Sequence, residues 1–451
     1  MNDNVPHDRL PWLLRLGRYG VPAVILMFYI TAATGFSFTP DGTFLGLQWV
    51  QRIVHGEGFH GFTMLPGSGS PSPFWVILLS TGSAMHLDPL LLSKILSLFF
   101  SCVVILVSYL TALDITDNLI MAFCVALLMA ANGLLLQAAP SGTPHPVLAA
   151  LLLGALLCMI RHDRVLASLA LGLACLMAWQ AIVLAVPLCA DIWMASGSRS
   201  RALRLLTTSY VVLTALIAPW LIYAVHNRIP WLTEIPPSSI PLAGTPASWA
   251  LLAILAAGCL AGTVMLLSPR LLAETLGRRH ILILGWTLWL TICALAWDPC
   301  FILAALPVGA AYAIASAHSL ALRLRIEGRS MAAVFLLTAL LLVLSQADVG
   351  GGRRALMAAA EKAVPVITEL ASRVRTSVPE EATLAAEWPG LVGYVAARPV
   401  TALSPGGSPG TDFAITAGRE IAGYAAVYSA VNTSGPPEAP DQSRFLIWKR
   451  Q

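Results

Sequence analysis

Charge is what this chain has least of. Only 11% of its 451 residues are Asp, Glu, Lys or Arg, against roughly 25% in a soluble domain. Lysine is nearly absent: Lys94, Lys362 and Lys449 are the only ones. With 57% hydrophobic residues and a mean hydropathy of +0.76, an ordinary soluble enzyme is excluded and lipid becomes the main solvent. The net charge of +4 says little by itself, because placement matters more; no nucleic-acid partner is expected. A cysteine framework is lacking too. Cys102, Cys124, Cys158, Cys175, Cys189, Cys259, Cys293 and Cys300 all fall in apolar runs, without CxxC or metal-ligand spacing. They read as small apolar residues, implying neither disulfides nor a zinc site. No internal repeat is visible.

Long apolar runs are what the chain has instead. A spanning helix needs about 20 such residues, with roughly 17 as a lower limit. Runs near 19–38, 90–112, 118–138, 145–160, 165–178, 180–194, 205–225, 249–268, 280–297, 300–318 and 331–346 predict eleven spans. Several are short, and the break at Ala178-Trp179-Gln180 is the least defined. Ala32-Ala33-Thr34 resembles a cleavage site weakly, but the many spans that follow favour an uncleaved first helix. The expected fold class is an all-α polytopic membrane protein of about eleven transmembrane helices with a small C-terminal α/β extracytoplasmic domain. Its two parts are a membrane domain over 1–346 and an outside domain over 347–451.

Arginine placement orients these spans. With the N-terminus in the cytoplasm, the inside segments carry Arg9, Arg15 and Arg18; Arg161 and Arg164; Arg199, Arg201 and Arg204; Arg270, Arg278 and Arg279; and Arg323, Arg325 and Arg329. The outside loops before the tail carry only Arg52 and Arg228. That asymmetry places the protein in the plasma (inner) membrane with its C-terminal segment extracytoplasmic. One inside loop, Asp114 to Asn118, has no cation. In the tail, Ala382 to Ala386, Pro399 to Leu403 and Arg444 to Trp448 read as strands and Pro389 to Val395 as a short helix.

The first outside loop, 39–89, concentrates the chemistry. Phe44, Leu47, Trp49, Val50, Ile53 and Val54 recur at helical spacing after Pro40-Asp41. A helix here is expected to lie flat on the membrane, its apolar face in lipid. Asp41 would stand at its start, either as a cap or as a general base; the two roles are compatible. Gly56-Glu57-Gly58 ends the helix, and His55, Glu57 and His60 are candidate ligands for a polar substrate or plain interfacial residues.

The order of pieces in this loop resembles the GT-C superfamily of membrane glycosyltransferases. Asp41-Gly42-Thr43-Phe44-Leu45, Gly56-Glu57-Gly58, Ser72-Pro73-Phe74-Trp75 and Asp88-Pro89-Leu90 through Lys94 match the superfamily's order over about 55 residues. Weaker echoes are Ser141-Gly142, Ala304-Ala305-Leu306-Pro307 and Thr383 to Leu403. The chain departs from the pattern at Gly42, Gln48, Pro144, Ala178-Trp179-Gln180 and Cys300, where acidic or basic positions are replaced.

The resemblance implies an inverting sugar transfer from a polyprenyl-phosphate sugar donor to a lipid, glycan or protein acceptor, with Asp41 as base. The departing phosphate needs positive charge or a divalent metal. Arg52, His55, His60, Lys94, His226 and Arg228 are the candidate substrate-binding groups, with Glu57 a second carboxylate. Asp88, Glu234 and Asp298 complete the outside carboxylates. Two other readings stand beside this one. A transporter or flippase for a lipid-linked substrate would place charges mid-membrane and show repeats, which are scarce here. A non-catalytic partner subunit would explain the replaced positions.

Overall fold

Helices open in this chain where a short polar side chain precedes an apolar run. The computed structural model describes residues 20–33, 39, 41–58, 72–196, 198–226, 283, 285–292, 301–323, 338, 352–379, 382–386, 389–397, 400–403, 411–417, 424–431 and 444–450. In chain order the helices are α1 (Val21–Ala33), α2 (Asp41–Val54), α3 (Pro73–Ala84), α4 (Pro89–Thr116), α5 (Leu119–Ala130), α6 (Gly133–Ser141), α7 (His145–Ile160), α8 (Arg164–Met177), α9 (Ala185–Ala195), α10 (Arg199–His226), α11 (Ile302–Arg323) and α12 (Gly352–Ser377). The last part holds β1 (Leu384–Ala386), α13 (Pro389–Ala396), β2 (Thr401–Ala402), β3 (Phe413–Ala417), β4 (Tyr424–Val431) and β5 (Arg444–Arg450). The fold is thus mostly helical with few strands.

Capping explains the starts. Asp88 accepts from the Leu90 backbone N–H with Pro89 in the first turn. Asn118 accepts from Ile120 and Met121, Asn132 from Leu135, and Asp163 from Leu166. Each satisfies a backbone donor that the helix itself leaves open.

Two of the described helices, α4 and α10, are long and apolar enough to cross a membrane alone. The expected span over 118–138 consists of α5 and α6, apolar enough to cross together but bent by 56° at the intervening break. The physical reason lies in Ala131-Asn132: Asn132 leaves the helical path and caps a new helix with its own side chain. The uncertain break after 178 is real. Ala178 is extended (φ −148, ψ 112), and Trp179–Leu184 forms a 3-10 turn before α9. The expected runs 249–268 and 331–346 lie outside the described residues, apart from helical Thr338.

α4 is the spine of the bundle. Ser93, Ser97, Ser101 and Ser108 are fully buried along it. Ser97 donates to the Ala138 carbonyl of α6 at 2.7 Å, while Ser101 and Ser108 satisfy themselves on the preceding turn. Small hydroxyl side chains let helices approach closely where lipid supplies no hydrophobic drive.

Two ion pairs between helices flank the turn from α7 to α8. Arg161, just past α7, holds Asp114 near the end of α4 at 2.8 Å. This supplies the cation that the loop from Asp114 to Asn118 lacks in sequence. Arg164, opening α8, faces Asp191 of α9 at 3.4 Å, with side chains only 13% and 9% exposed. Removing a partner from a buried pair costs about 3–5 kcal/mol, whereas an exposed pair contributes about 0–1 kcal/mol. Arg164→Ala should therefore lower the thermal unfolding temperature of the purified protein clearly, and Arg161→Ala scarcely.

The sheet runs in the order β2-β1-β3-β5-β4. β1 is parallel to β2 and β3; β5 is antiparallel to β3 and β4. Strands β1, β2 and β5 lie where the sequence places strands, α13 where it places a helix, and β3, β4 and α12 are additions. Asp412 clamps the β1–β3 edge by accepting from both the Thr383 backbone N–H and its hydroxyl at 2.8 Å. Leu384, Ala386 and Ile415 of the sheet belong to the same apolar core as the helices.

Candidate functional site: the two ends of the first-loop helix

α2 forms where periodicity requires it, but its apolar face meets protein rather than lipid. Phe44, Leu47, Trp49 and Val50 are 0–5% exposed. Covering them is α13, which packs along α2 together with α3; the Phe44 and Tyr394 rings lie 5.6 Å apart. The flat, lipid-facing helix expected from the sequence is corrected accordingly. The tail returns over the loop and takes the place assigned to the bilayer.

The N-terminal end of α2 is a meeting point of three segments. Asp41 is its first residue. Two residues on, Thr43 is buried and donates its hydroxyl to the Ser141 carbonyl at 3.0 Å. Ser141 and Thr143 share a 3.0 Å hydroxyl contact. Gly142 between them has φ +72, a left-handed conformation that favours glycine. A Cβ there would lie 2.5 Å from Ser93 Oγ and 3.2 Å from Thr43 Cγ2. Lys94 follows Ser93 in the second turn of α4 and is half-buried. The bend before α6 is what carries Ser141-Gly142 to this place.

The C-terminal end of α2 is a second place. Gly56 at φ +82 stops the helix. Its N–H reaches the Ile53 carbonyl and that of Glu57 reaches Arg52, both at 3.0 Å, the paired bonds of a Schellman ending. This turn sets Glu57 3.7 Å from Arg52. His55 Nδ1 lies 2.6 Å from the Gln51 carbonyl and is exposed. Gln48, Gln51, Arg52, His55 and Glu57 form one wall of a cleft of about 520 Å³; Arg375 of α12 and Gly393 to Val395 of α13, with Ala397, form the other. Burial and the nearby Asp88 charge push the Tyr394 hydroxyl up from its usual range, so it stays a neutral donor at physiological pH.

Three of the sequence candidates, Arg52, His55 and Glu57, thus share the cleft. Asp41 does not: Arg52 lies eleven residues on, about 16 Å along the axis at 1.5 Å per residue. His226 ends α10 and is exposed. Nearby, Trp220 and Ala224 pack with Leu176 and touch Phe74 and Trp179. Ser72 donates to the Met177 carbonyl at 2.8 Å, which joins the Ser72-Pro73-Phe74-Trp75 segment to the break at Ala178. His60 and Arg228 lie outside the described residues, as do Glu234, Asp298 and Cys300.

Arg375 and Tyr394 escaped the sequence reading. The buried set Ile367, Leu370, Ala371 and Val374 spells a helical face that would have announced α12, but nothing local announces its partner. Gln48, one of the departures from the GT-C pattern, is 5% exposed and lines the cleft. Pro144, another, precedes α7 at its cap position without a side-chain bond. Among the described residues no group of three His, Cys, Asp or Glu side chains is placed to hold a metal ion.

No protein-family model matches the chain, and no curated protein matches it in sequence. Solved structures do match in fold. ArnT from Cupriavidus metallidurans is similar at a TM-score of 0.59 in its apo state, with 12% identity over 97% of both chains. Bound to undecaprenyl phosphate, it gives 0.58 at 13% identity. The Archaeoglobus fulgidus oligosaccharyltransferase, in a complex with Zn and sulfate, gives 0.53 at 14% identity over 85% of this chain. This chain spans 62% of that protein's length. The chain thus shares its fold with ArnT and the oligosaccharyltransferase.

Proposed function

We propose that the protein is an integral-membrane glycosyltransferase that moves a sugar from a polyprenyl-phosphate donor to an extracytoplasmic acceptor with inversion. The observation that carries this reading is the junction at the start of α2. There Thr43, two residues past Asp41, is bonded to Ser141 and packed by Gly142 and Ser93. Three segments of GT-C order, distant in sequence, meet there. The shared fold supports the donor class, since one of the similar proteins was solved with undecaprenyl phosphate and another with a dolichol-phosphate and an inhibitory peptide.

In the proposed step an acceptor hydroxyl attacks the anomeric carbon from the face opposite the phosphate. The new C–O bond forms as the bond to the phosphate oxygen breaks, and that oxygen keeps the electron pair. Asp41 takes the hydroxyl proton as general base. Lys94, one residue from Ser93, supplies positive charge for the departing phosphate. About eleven spans, a boundary between 346 and 347, a cytoplasmic N-terminus and an extracytoplasmic tail complete the reading.

The replaced positions Gln48 and Pro144 favour one alternative, a non-catalytic partner subunit in surface-glycan assembly. Deleting the gene and profiling cell-surface glycans and glycolipids tests the enzyme reading. The expected result is loss of one sugar, restored by the wild-type gene. A mutant whose glycans are unchanged in both composition and amount overturns it.

A further inference from the structure

We infer that the cleft at the far end of α2 is a subsite for an anionic saccharide, the distal, carboxylate- or phosphate-bearing part of the acceptor. The inference rests on the transferase reading and adds to it the chemical class of the acceptor. Four observations carry it.

The first is charge on both walls. Arg52 reaches the cleft from α2 and Arg375 from α12. Arg52 shares an ion pair with Glu57 at 3.7 Å and lines the cleft beside it. Among the described residues no carboxylate pairs with Arg375. Two guanidiniums facing one space suit an oxyanion.

The second is the rest of the lining. Gln48 and Gln51 offer amides, and Tyr394 a hydroxyl on a flat ring. Amides donate and accept at once, which matches the paired demands of sugar hydroxyls. Gln48 is held in place by burial, at 5% exposure. The third is size: about 520 Å³ falls within the range of small-ligand sites.

The fourth is position. Gln48 to Arg52 lie about 10–16 Å along the helix from Asp41. Tyr394 continues the path, lining the cleft and meeting Phe44 of the first turn of α2 in a tilted ring contact. An acceptor whose hydroxyl reaches Asp41 would extend along α2 into the cleft.

The test reads binding without turnover, on the full-length protein in phosphatidylcholine nanodiscs. The probes are trigalacturonate, neutral maltotriose and inorganic phosphate. Trigalacturonate should bind about tenfold or more tightly than maltotriose, as charge-assisted contacts require. Arg375→Gln should erase that preference. Arg373→Gln, on the same helix but paired with Glu369 at 3.2 Å and outside the cleft, should keep it. Gln51→Ala should weaken both saccharides.

Equal affinity for the charged and neutral saccharides overturns the inference, and so does an Arg375→Gln variant that binds as wild type. Inorganic phosphate binding as tightly as trigalacturonate leaves an anion site without saccharide recognition and overturns it too. Loss of trigalacturonate binding in phosphatidylglycerol nanodiscs would assign the cleft to lipid headgroups instead. A failure here leaves transfer by Asp41 standing. A protein that binds the saccharide in a cell whose glycans do not depend on it overturns the proposed reaction and not the site.

Discussion

Asp41→Asn should leave the protein folded and in the membrane but lower sugar transfer by about 10²–10⁴-fold, the usual contribution of a positioned general base. Asparagine keeps the shape and hydrogen-bonding capacity suited to the start of α2 while removing the group that accepts the proton. The measurement is complementation of the deletion strain with variants made in equal amount, followed by quantification of the sugar that the deletion loses. Asp41→Glu keeps the carboxylate but moves it by one methylene, and should retain part of the activity. Full restoration by Asp41→Asn removes Asp41 from the chemistry and makes the partner-subunit reading the leading one. Because the helix tolerates Asn at its start, a loss of sugar with normal protein level reports chemistry rather than stability.

A methyl group at Gly142 should cost nearly as much by a different route. The residue has φ +72, where an L side chain is about 1–2 kcal/mol worse than glycine. The added Cβ would also press on Ser93 Oγ and Thr43 Cγ2, at 2.5 and 3.2 Å. Overpacking of this kind costs about 1–3 kcal/mol. The strain falls on the bond from Thr43 to Ser141 and therefore on the first turn of α2. A displacement of about 1 Å at a reacting group lowers rates about 10²-fold. Gly142→Ala is thus expected to lower the unfolding temperature and to cut transfer by about that factor. Gly154→Ala supplies the contrast. It sits within α7 with nothing within 4 Å of its would-be Cβ, and alanine is the better helix former by about 0.5–1 kcal/mol. It should leave transfer unchanged. Equal behaviour of the two variants would sink the positional argument for Gly142.

Much of this site is legible in the chain itself. The spacing of Phe44, Leu47 and Val50 marks α2, and Gly56-Glu57-Gly58 marks its end, because period and left-handed glycine are local properties. Asp88-Pro89 marks the start of α4 for the same reason. What covers an apolar face is not local. Periodicity shows that α2 has such a face, but the same pattern suits lipid or protein, and here α13 buries it, from almost 350 residues away in sequence. The break of the expected span 118–138 was missed because apolar runs on both sides hide a single capping asparagine. β4 was missed because Tyr-Ala-Ala-Val-Tyr-Ser-Ala-Val is rich in alanine, a poor strand former.

The sequence by itself determined that lipid is this chain's solvent, where α2 and α4 begin, and which few polar residues the first loop can offer. Those conclusions need only composition, period and capping, each read within a turn or two of helix. The tertiary structure alone decided which of those residues lie together. It bonded Thr43 of the first turn of α2 to Ser141 and gathered Arg52, His55 and Glu57 with Arg375 at the other end of α2. A bend of 56°, a glycine with no room for a methyl and a returning helix make those meetings. They arise from packing between distant segments, which no local pattern encodes.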